Sequence, residues 1–335
     1  MKKNVTIIFE KPRTVIFEER EVPSPNPGQL LIQTKLTMIS TGTEMSVLDR
    51  KEDTGKAWQS YAQFPFVPGY NNIGIVVDVG EGVGKDWIGK KVGTLGAHAQ
   101  YVLEDEKNAR IIHRDISDEK AVYFTLAEIV MQSIRMGKVT FGEQIGIYGA
   151  GLLGQLAAQY CRICGARPVF VMDISDYRLS LLPKDAGIVP INSARQNVKE
   201  AVLEVNRGRL LDAVYEVTGA PELIPEELTA LKNQGRFVIL SSPRGKTLFD
   251  FHDLCNAPSF NIIGAHNYAH TPIETPQNQW TSHRDAELFF DYVADGELDV
   301  DCLTSNKVNY TEAVSMYDML LNDRTKAMGV LLEWS

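Results

Sequence analysis

The run Ile145-Gly146-Ile147-Tyr148-Gly149-Ala150-Gly151-Leu152-Leu153-Gly154 constrains the fold more than any other part of the chain. A short apolar stretch, expected as a buried strand over 144–148, ends in G-x-G-x-x-G and opens a helical pattern over 152–164. Gly149 permits the tight turn, Gly151 lets the backbone approach a pyrophosphate, and Gly154 lets helix pack on strand. The free N–H groups of the helix start, at Leu152 and Leu153, then face the phosphates. A second strand, over 168–172, runs into Asp173, where a carboxylate takes a ribose diol. The same carboxylate repels a 2′-phosphate, which favours NAD; Arg178 keeps NADP open.

The pattern around this unit divides the chain. Before it, strands over 14–21, 29–39, 74–79 and 99–103 alternate with Gly/Pro turns, as in an irregular β-barrel or sandwich. Helical spacing over 120–136 marks the change. Further strands over 211–217 and 236–240, with helices between them, predict a parallel sheet covered on both faces. Helices over 282–294 and 311–321 and a strand over 328–334 follow. The expected fold class is α/β, a β-rich domain joined to a doubly wound parallel sheet. The net charge of −9 argues against a nucleic-acid partner. No apolar stretch reaches the length of a membrane span. Four cysteines and no secretory pattern predict reduced thiols in a cytoplasm. The partner is expected to be a small-molecule substrate.

Four further stretches carry a resemblance that covers essentially the whole chain. Pro65-Phe66-Val67-Pro68-Gly69-Tyr70-Asn71-Asn72-Ile73-Gly74 resembles P-x-x-P-G-H-E-x-x-G, and Thr41-Gly42-Thr43-Glu44 resembles C-G-[ST]-D. Gly96-Ala97-His98-Ala99-Gln100-Tyr101 resembles G-x-[HY]-A-E-Y, and Val217-Thr218-Gly219-Ala220 resembles a turn beside the nicotinamide. These are motifs of the medium-chain dehydrogenase/reductase superfamily, the zinc alcohol dehydrogenases and their relatives. The resemblance implies a GroES-like catalytic domain over 1–125, a Rossmann NAD-binding domain over 126–265 and a return segment over 266–335. It adds Thr218, Gly219 and Ser241 to the cofactor contacts. It also implies a homodimer or homotetramer. Within the superfamily, the 40–44 and 68–70 stretches resemble a zinc-less subgroup. Its members are labelled like bacteriochlorophyllide hydroxyethyl dehydrogenase or like sugar and cyclitol dehydrogenases.

The departures from the family pattern decide the chemistry expected. The zinc-ligand positions hold Thr41, Tyr70, Asn71 and the Phe124-Thr125 pair. None is a thiolate, imidazole or carboxylate, which a tetrahedral zinc requires. The lobe between Gly80 and Gln100 has no cysteine for a structural zinc. The expectation is therefore a zinc-free branch with no metal, in which a side chain moves the proton while the nicotinamide moves the hydride. Tyr70 is the first candidate, in a vacated ligand position, and His98 the second, because an unperturbed imidazole suits proton transfer near neutrality. Thr43 aligns with the family's relay hydroxyl, and Glu44 is either a base or a brace for its loop. Thr41, Asn71, His266, Asn267 and Trp280 are the expected substrate contacts, with the indole stacking on a sugar face. Cys161 and Cys164 read as core packing, and Glu128 as a helix-surface or interface residue. The expected reaction interconverts a secondary alcohol of a sugar, polyol or cyclitol and its ketone. Reduction of an enone or quinone and dinucleotide binding without catalysis remain the alternatives.

Overall fold

A computed structural model of the chain describes residues 3–50 and 56–334. The chain forms two compact units, Met1–Thr125 with Thr281–Ser335, and Leu126–Trp280. The return therefore falls at Thr281 rather than at the expected residue 266. The stretch before it is held to the second unit: Gln132 Nε2 donates to Ala269 O at 2.9 Å, and the Arg135 guanidinium lies 3.7 Å from the Trp280 ring centroid.

The first unit opens with an antiparallel pair, β1 (Lys3–Lys11) and β2 (Thr14–Glu21). Then come β3 (Gln29–Ile39), α1 (Thr43–Asp49), α2 (Lys56–Tyr61), β4 (Asn72–Val79), β5 (Lys91–Thr94), β6 (Tyr101–Asp105) and β7 (Arg110–Ile111). β3 is the spine of the seven-stranded sheet, paired with β4 along most of its length and with β6 over its first half. Its apolar side chains are buried on both faces, which suits a strand covered on both sides. The strand ends at Ile39. Ser40 and the Thr41-Gly42 turn then lead into α1, so hydroxyl-bearing residues sit at the strand's end.

The helix expected over 120–136 is two helices, α3 (Asp118–Ala121) and α4 (Phe124–Gly137). The break frees Tyr123 from the helix pattern, and its hydroxyl lies 2.8 Å from Thr304 Oγ1.

The second unit contains β8 (Ile145–Tyr148), α5 (Leu152–Ile163), β9 (Val169–Asp173), α6 (Asp176–Ser180), β10 (Ile188–Asn192), α7 (Val198–Val205), β11 (Leu211–Glu216), α8 (Ile224–Glu227), β12 (Leu231–Ile239) and β13 (Asn261–Gly264). Its sheet is parallel throughout, in the order β10-β9-β8-β11-β12-β13. Counted within the unit this is 3-2-1-4-5-6, the doubly wound order with its reversal between β8 and β11. Every residue of β8 and β9 is buried. Strands covered by helices on both faces read as continuous apolar runs, which is how they were legible. Phe170, Val202, Leu211, Val214 and Phe237 share one core.

The return adds α9 (Ser282–Ala294), β14 (Thr304–Asn309), α10 (Ala313–Asn322) and β15 (Gly329–Glu333) to the first unit. β15 pairs with the second half of β3, and α10 packs Tyr317 and Leu320 against Ile7, Phe9, Ile39 and Leu48. That packing brings a residue near the end of the sequence onto the turn after β3.

Candidate active site

The glycine loop of the second unit leaves β8 at Tyr148. Gly149 has φ +108° and donates its N–H to Met172 O at 2.7 Å. A Cβ on Gly154 would lie 1.8 Å from Gly149 O, so only glycine lets α5 start this close to the turn. A Cβ on Gly151 would meet nothing within 4 Å, and no side chain caps the helix there. An open space over uncapped N–H groups fits a pyrophosphate. Gly154→Ala is expected to weaken NADH binding and to destabilise the fold by about 1–3 kcal/mol for a forced core contact, lowering the melting temperature. Thermal melts with and without NADH check this, and wild-type curves would show that the turn yields freely.

Asp173 ends β9 and is nearly buried. Its Oδ2 accepts from Ala150 N–H at 2.8 Å and its Oδ1 from Ser175 N–H at 2.8 Å. It therefore ties the glycine loop to the next turn, and each oxygen keeps a lone pair for a ribose hydroxyl. Arg178 lies on α6, whose N-cap is Ser175, and its Nε is buried without a hydrogen-bond partner.

The sequence reading missed Glu216, which ends β11 and is fully buried. Glu216 Oε1 accepts from Thr218 Oγ1 and from Gly219 N–H, each at 2.7 Å, and its Oε2 accepts from Ser241 Oγ. One carboxylate thus holds all three residues expected at the nicotinamide turn. Because both hydroxyls donate to it, their lone pairs remain as acceptors; one on Thr218 Oγ1 takes Ala220 N–H at 3.1 Å, which leaves the other for a ligand. A signal was present: like Asp173, Glu216 is an acid closing a parallel strand just before a turn.

In the first unit a hydroxyl cluster gathers at the end of β3. Tyr70 is partly buried, and its hydroxyl lies 2.6 Å from Ser40 Oγ. Ser40 Oγ also accepts from Thr43 N–H at 3.2 Å. Burial pushes the Tyr70 phenol above its ordinary pKa, while the Ser40 and Thr43 hydroxyls pull it back down. Beneath lies a second cluster. Glu44 Oε1 accepts from Ser40 N–H at 3.1 Å, His98 Nε2 lies 3.1 Å from Glu44 Oε2, and Tyr317 donates to the same oxygen at 2.5 Å. Glu44, His98 and Tyr317 are all at most 1% exposed. His98, expected as a proton-transfer group, and Glu44, expected as either a base or a brace for its loop, are bonded to each other and buried, and Glu44 holds the Ser40 backbone as a brace would.

Other expected contacts move as well. Asn71 is fully buried; its Nδ2 donates to Met38 O at 3.4 Å, and its Oδ1 has no partner. It does not offer its amide at the surface to a substrate hydroxyl. The Arg135 guanidinium lies over one face of the Trp280 ring in a cation–π contact, so that one face is not open to a sugar. His266 is exposed, and Asn267 begins a short 3-10 turn, Asn267–Ala269. Thr41 is partly exposed, with its carbonyl accepting from Arg324 Nη1 at 3.3 Å. Glu128, expected on a helix surface or at an interface, is buried on α4. Cys161 is buried and Cys164 exposed, and burial pushes the Cys161 thiol well up.

The zinc-ligand positions fail a donor test. The Tyr70 phenol is engaged by Ser40, Thr125 Oγ1 donates to Tyr70 O at 3.3 Å, and the Asn71 amide is turned to Met38. Among the described residues, no three His, Cys, Asp or Glu side chains come together as a metal would require. These residues do not fit a tetrahedral zinc.

A doubly wound dinucleotide sheet with an acid-braced turn, and a separate β-rich lobe carrying a phenol–hydroxyl couple, define a nicotinamide-linked oxidoreductase. The alcohol dehydrogenase GroES-like domain model matches residues 26–161, and the zinc-binding dehydrogenase model matches residues 153–282. The chain belongs to the medium-chain dehydrogenase/reductase superfamily. An L-threonine 3-dehydrogenase of Shewanella sp. (strain MR-7) is 28% identical over 268 residues, covering 69% of this chain and 75% of that protein. An oxidoreductase/dehydrogenase of unknown specificity from Escherichia coli has a similar structure, with TM-score 0.84, 18% identity and 100% of both chains covered. A short chain alcohol dehydrogenase from Escherichia coli CFT073, complexed with NADH, follows at TM-score 0.81 and 19% identity, covering 99% of this chain and 100% of that one.

Proposed function

We propose that this chain is a zinc-independent, NAD-dependent dehydrogenase that interconverts a secondary alcohol of a sugar, polyol or cyclitol and its ketone. The observation that carries the reading is the Tyr70 phenol, hydrogen-bonded to Ser40 where zinc relatives place an imidazole ligand. A nicotinamide held by the glycine loop, Asp173 and the Glu216-braced turn would supply or take the hydride. Tyr70 gives its proton to the carbonyl oxygen in reduction and takes it back in oxidation. Asp173 supports NAD over NADP through its charge at the end of β9. The name of the threonine dehydrogenases places their action at carbon 3 of L-threonine, which bears a secondary hydroxyl. The hydroxyls of Thr41, Thr43 and Tyr70 suit a polyhydroxylated ligand.

The same reading has a small-molecule substrate, no nucleic-acid or membrane partner, a cytoplasmic location and a homodimer or homotetramer. The acidic charge supports it, as does the open edge of β13. No helix among the described residues is long and apolar enough to cross a membrane.

The test is NAD reduction against a panel of sugars, polyols, cyclitols, simple secondary alcohols and, in reverse with NADH, enones. Turnover is expected among the polyhydroxylated compounds. Turnover of enones alone would replace the reading with C=C reduction, and NADH binding without any turnover would replace it with a binding protein.

A further inference from the structure

Ser40 is 8% exposed and lies between the two clusters of the first unit. A serine hydroxyl has one hydrogen to donate and two lone pairs. Thr43 N–H takes one lone pair, so the remaining hydrogen and lone pair face the Tyr70 hydroxyl at 2.6 Å. The Ser40 backbone is fixed in turn by its N–H bond to Glu44 Oε1. Glu44 is itself held by His98 Nε2 and by the Tyr317 hydroxyl, which arrives from α10. All three of these buried groups can influence the phenol only through Ser40 or through their charge.

We propose that Ser40 is the positioning residue of Tyr70 and the route by which its proton is replaced, with the buried Glu44–His98–Tyr317 cluster fixing the Ser40 backbone. This rests on the reading of Tyr70 as the proton donor. In ketone reduction the Tyr70 O–H bond breaks as the substrate's O–H bond forms. Ser40 then gives its hydrogen to the phenolate oxygen and regains one from solvent water. The partly exposed Thr43 hydroxyl faces the same phenol and borders that route. The groups facing the phenol with charge or potential charge are Glu44 and Tyr61, both of which raise its pKa.

The experiment compares Ser40→Ala, Ser40→Thr and Tyr70→Phe with wild type by two readouts. The first follows the Tyr70 ring carbon by NMR during a pH titration, with the resonance assigned from Tyr70→Phe; it needs no substrate. Ser40→Ala is expected to move that titration to higher pH, and Ser40→Thr to return it most of the way. The second is turnover of the best substrate in the panel. Ser40→Ala is expected to lower kcat about 10- to 100-fold, within the range for proton-transfer groups, with KM and NADH affinity within about twofold of wild type. An unmoved titration in Ser40→Ala overturns the proposal, as does a loss confined to NADH binding. If Tyr70→Phe is inactive while Ser40→Ala turns over at the wild-type rate, the Ser40 proposal fails and the Tyr70 reading stands. A fully active Tyr70→Phe overturns both.

Discussion

Tyr70→Phe is expected to lower ketone reduction and alcohol oxidation by about 10²- to 10³-fold, within the range for a positioned acid/base. NADH affinity should stay within about twofold, because the glycine loop, Asp173 and the Glu216-braced turn belong to the other unit. The substitution removes one oxygen and keeps the ring, so the packing of the turn survives. The Ser40 hydroxyl loses its partner at 2.6 Å. The pH dependence gives a second signature. Burial, with the Glu44 charge adding to it, holds the phenol above its ordinary pKa despite the pull of Ser40 and Thr43. The neutral phenol therefore dominates across the neutral range, and ketone reduction should be flat from about pH 6 to 9. Oxidation needs the phenolate, so its rate should climb about tenfold per pH unit over the same range. A Phe variant that keeps both the rate and this climb would remove Tyr70 from the chemistry.

Glu227→Gln is expected to stabilise the protein, and by more at higher pH. Glu227 ends α8 at 1% exposure, and neither carboxyl oxygen has a hydrogen-bond partner. Burial pushes its pKa from 4.5 up to about 9, and the Glu216 carboxylate adds to the shift. The sign follows from proton counting. Between those two values the folded chain holds a proton that the unfolded chain releases, so this group makes stability fall as pH rises. Near pH 7.5 the penalty is about 4 kcal/mol, from roughly three pH units above the unfolded value. Glutamine has nearly the same shape and carries no ionisable proton, although its amide is left unpaired as the protonated acid was. A gain of about 2–4 kcal/mol should raise the melting temperature by several degrees. Melts at pH 6 and pH 8.5 decide the matter. The variant should gain more at pH 8.5, and an equal loss at both would mean that Glu227 has a partner to lose.

How much of this was readable in the sequence depends on how local the cause is. The glycine loop and Asp173 are adjacent in sequence to the turns they hold, and their roles follow from residue type and spacing. The apolar runs of β8 and β9 announce strands buried on both faces. The two-part chain was legible from the change of period near residue 120. The catalytic side was not readable in the same way. The bond from Tyr317 to Glu44 spans 273 positions, and the bond from His98 to Glu44 spans 54. No local pattern marks which carboxylate will be sealed beneath a loop by an element that returns so late. Tyr70 stands out by its place in a motif, but the Ser40 hydroxyl that it meets lies 30 positions upstream and is placed by the end of β3. Trp280 shows the same limit: the Arg135 guanidinium that lies over one face of its ring comes from α4, far back in the sequence, where no local pattern announces it. The return point was misplaced for the same reason, since the bonds holding 266–280 come from α4, far back in the sequence.

The most direct test of zinc-independent proton transfer is the metal content and alcohol-oxidation rate of one sample, measured before and after dialysis against a strong chelator. The account predicts far less than one zinc per chain at the outset and an unchanged rate afterwards. One tightly held zinc per chain, whose removal abolishes oxidation and whose return restores it, would contradict the account.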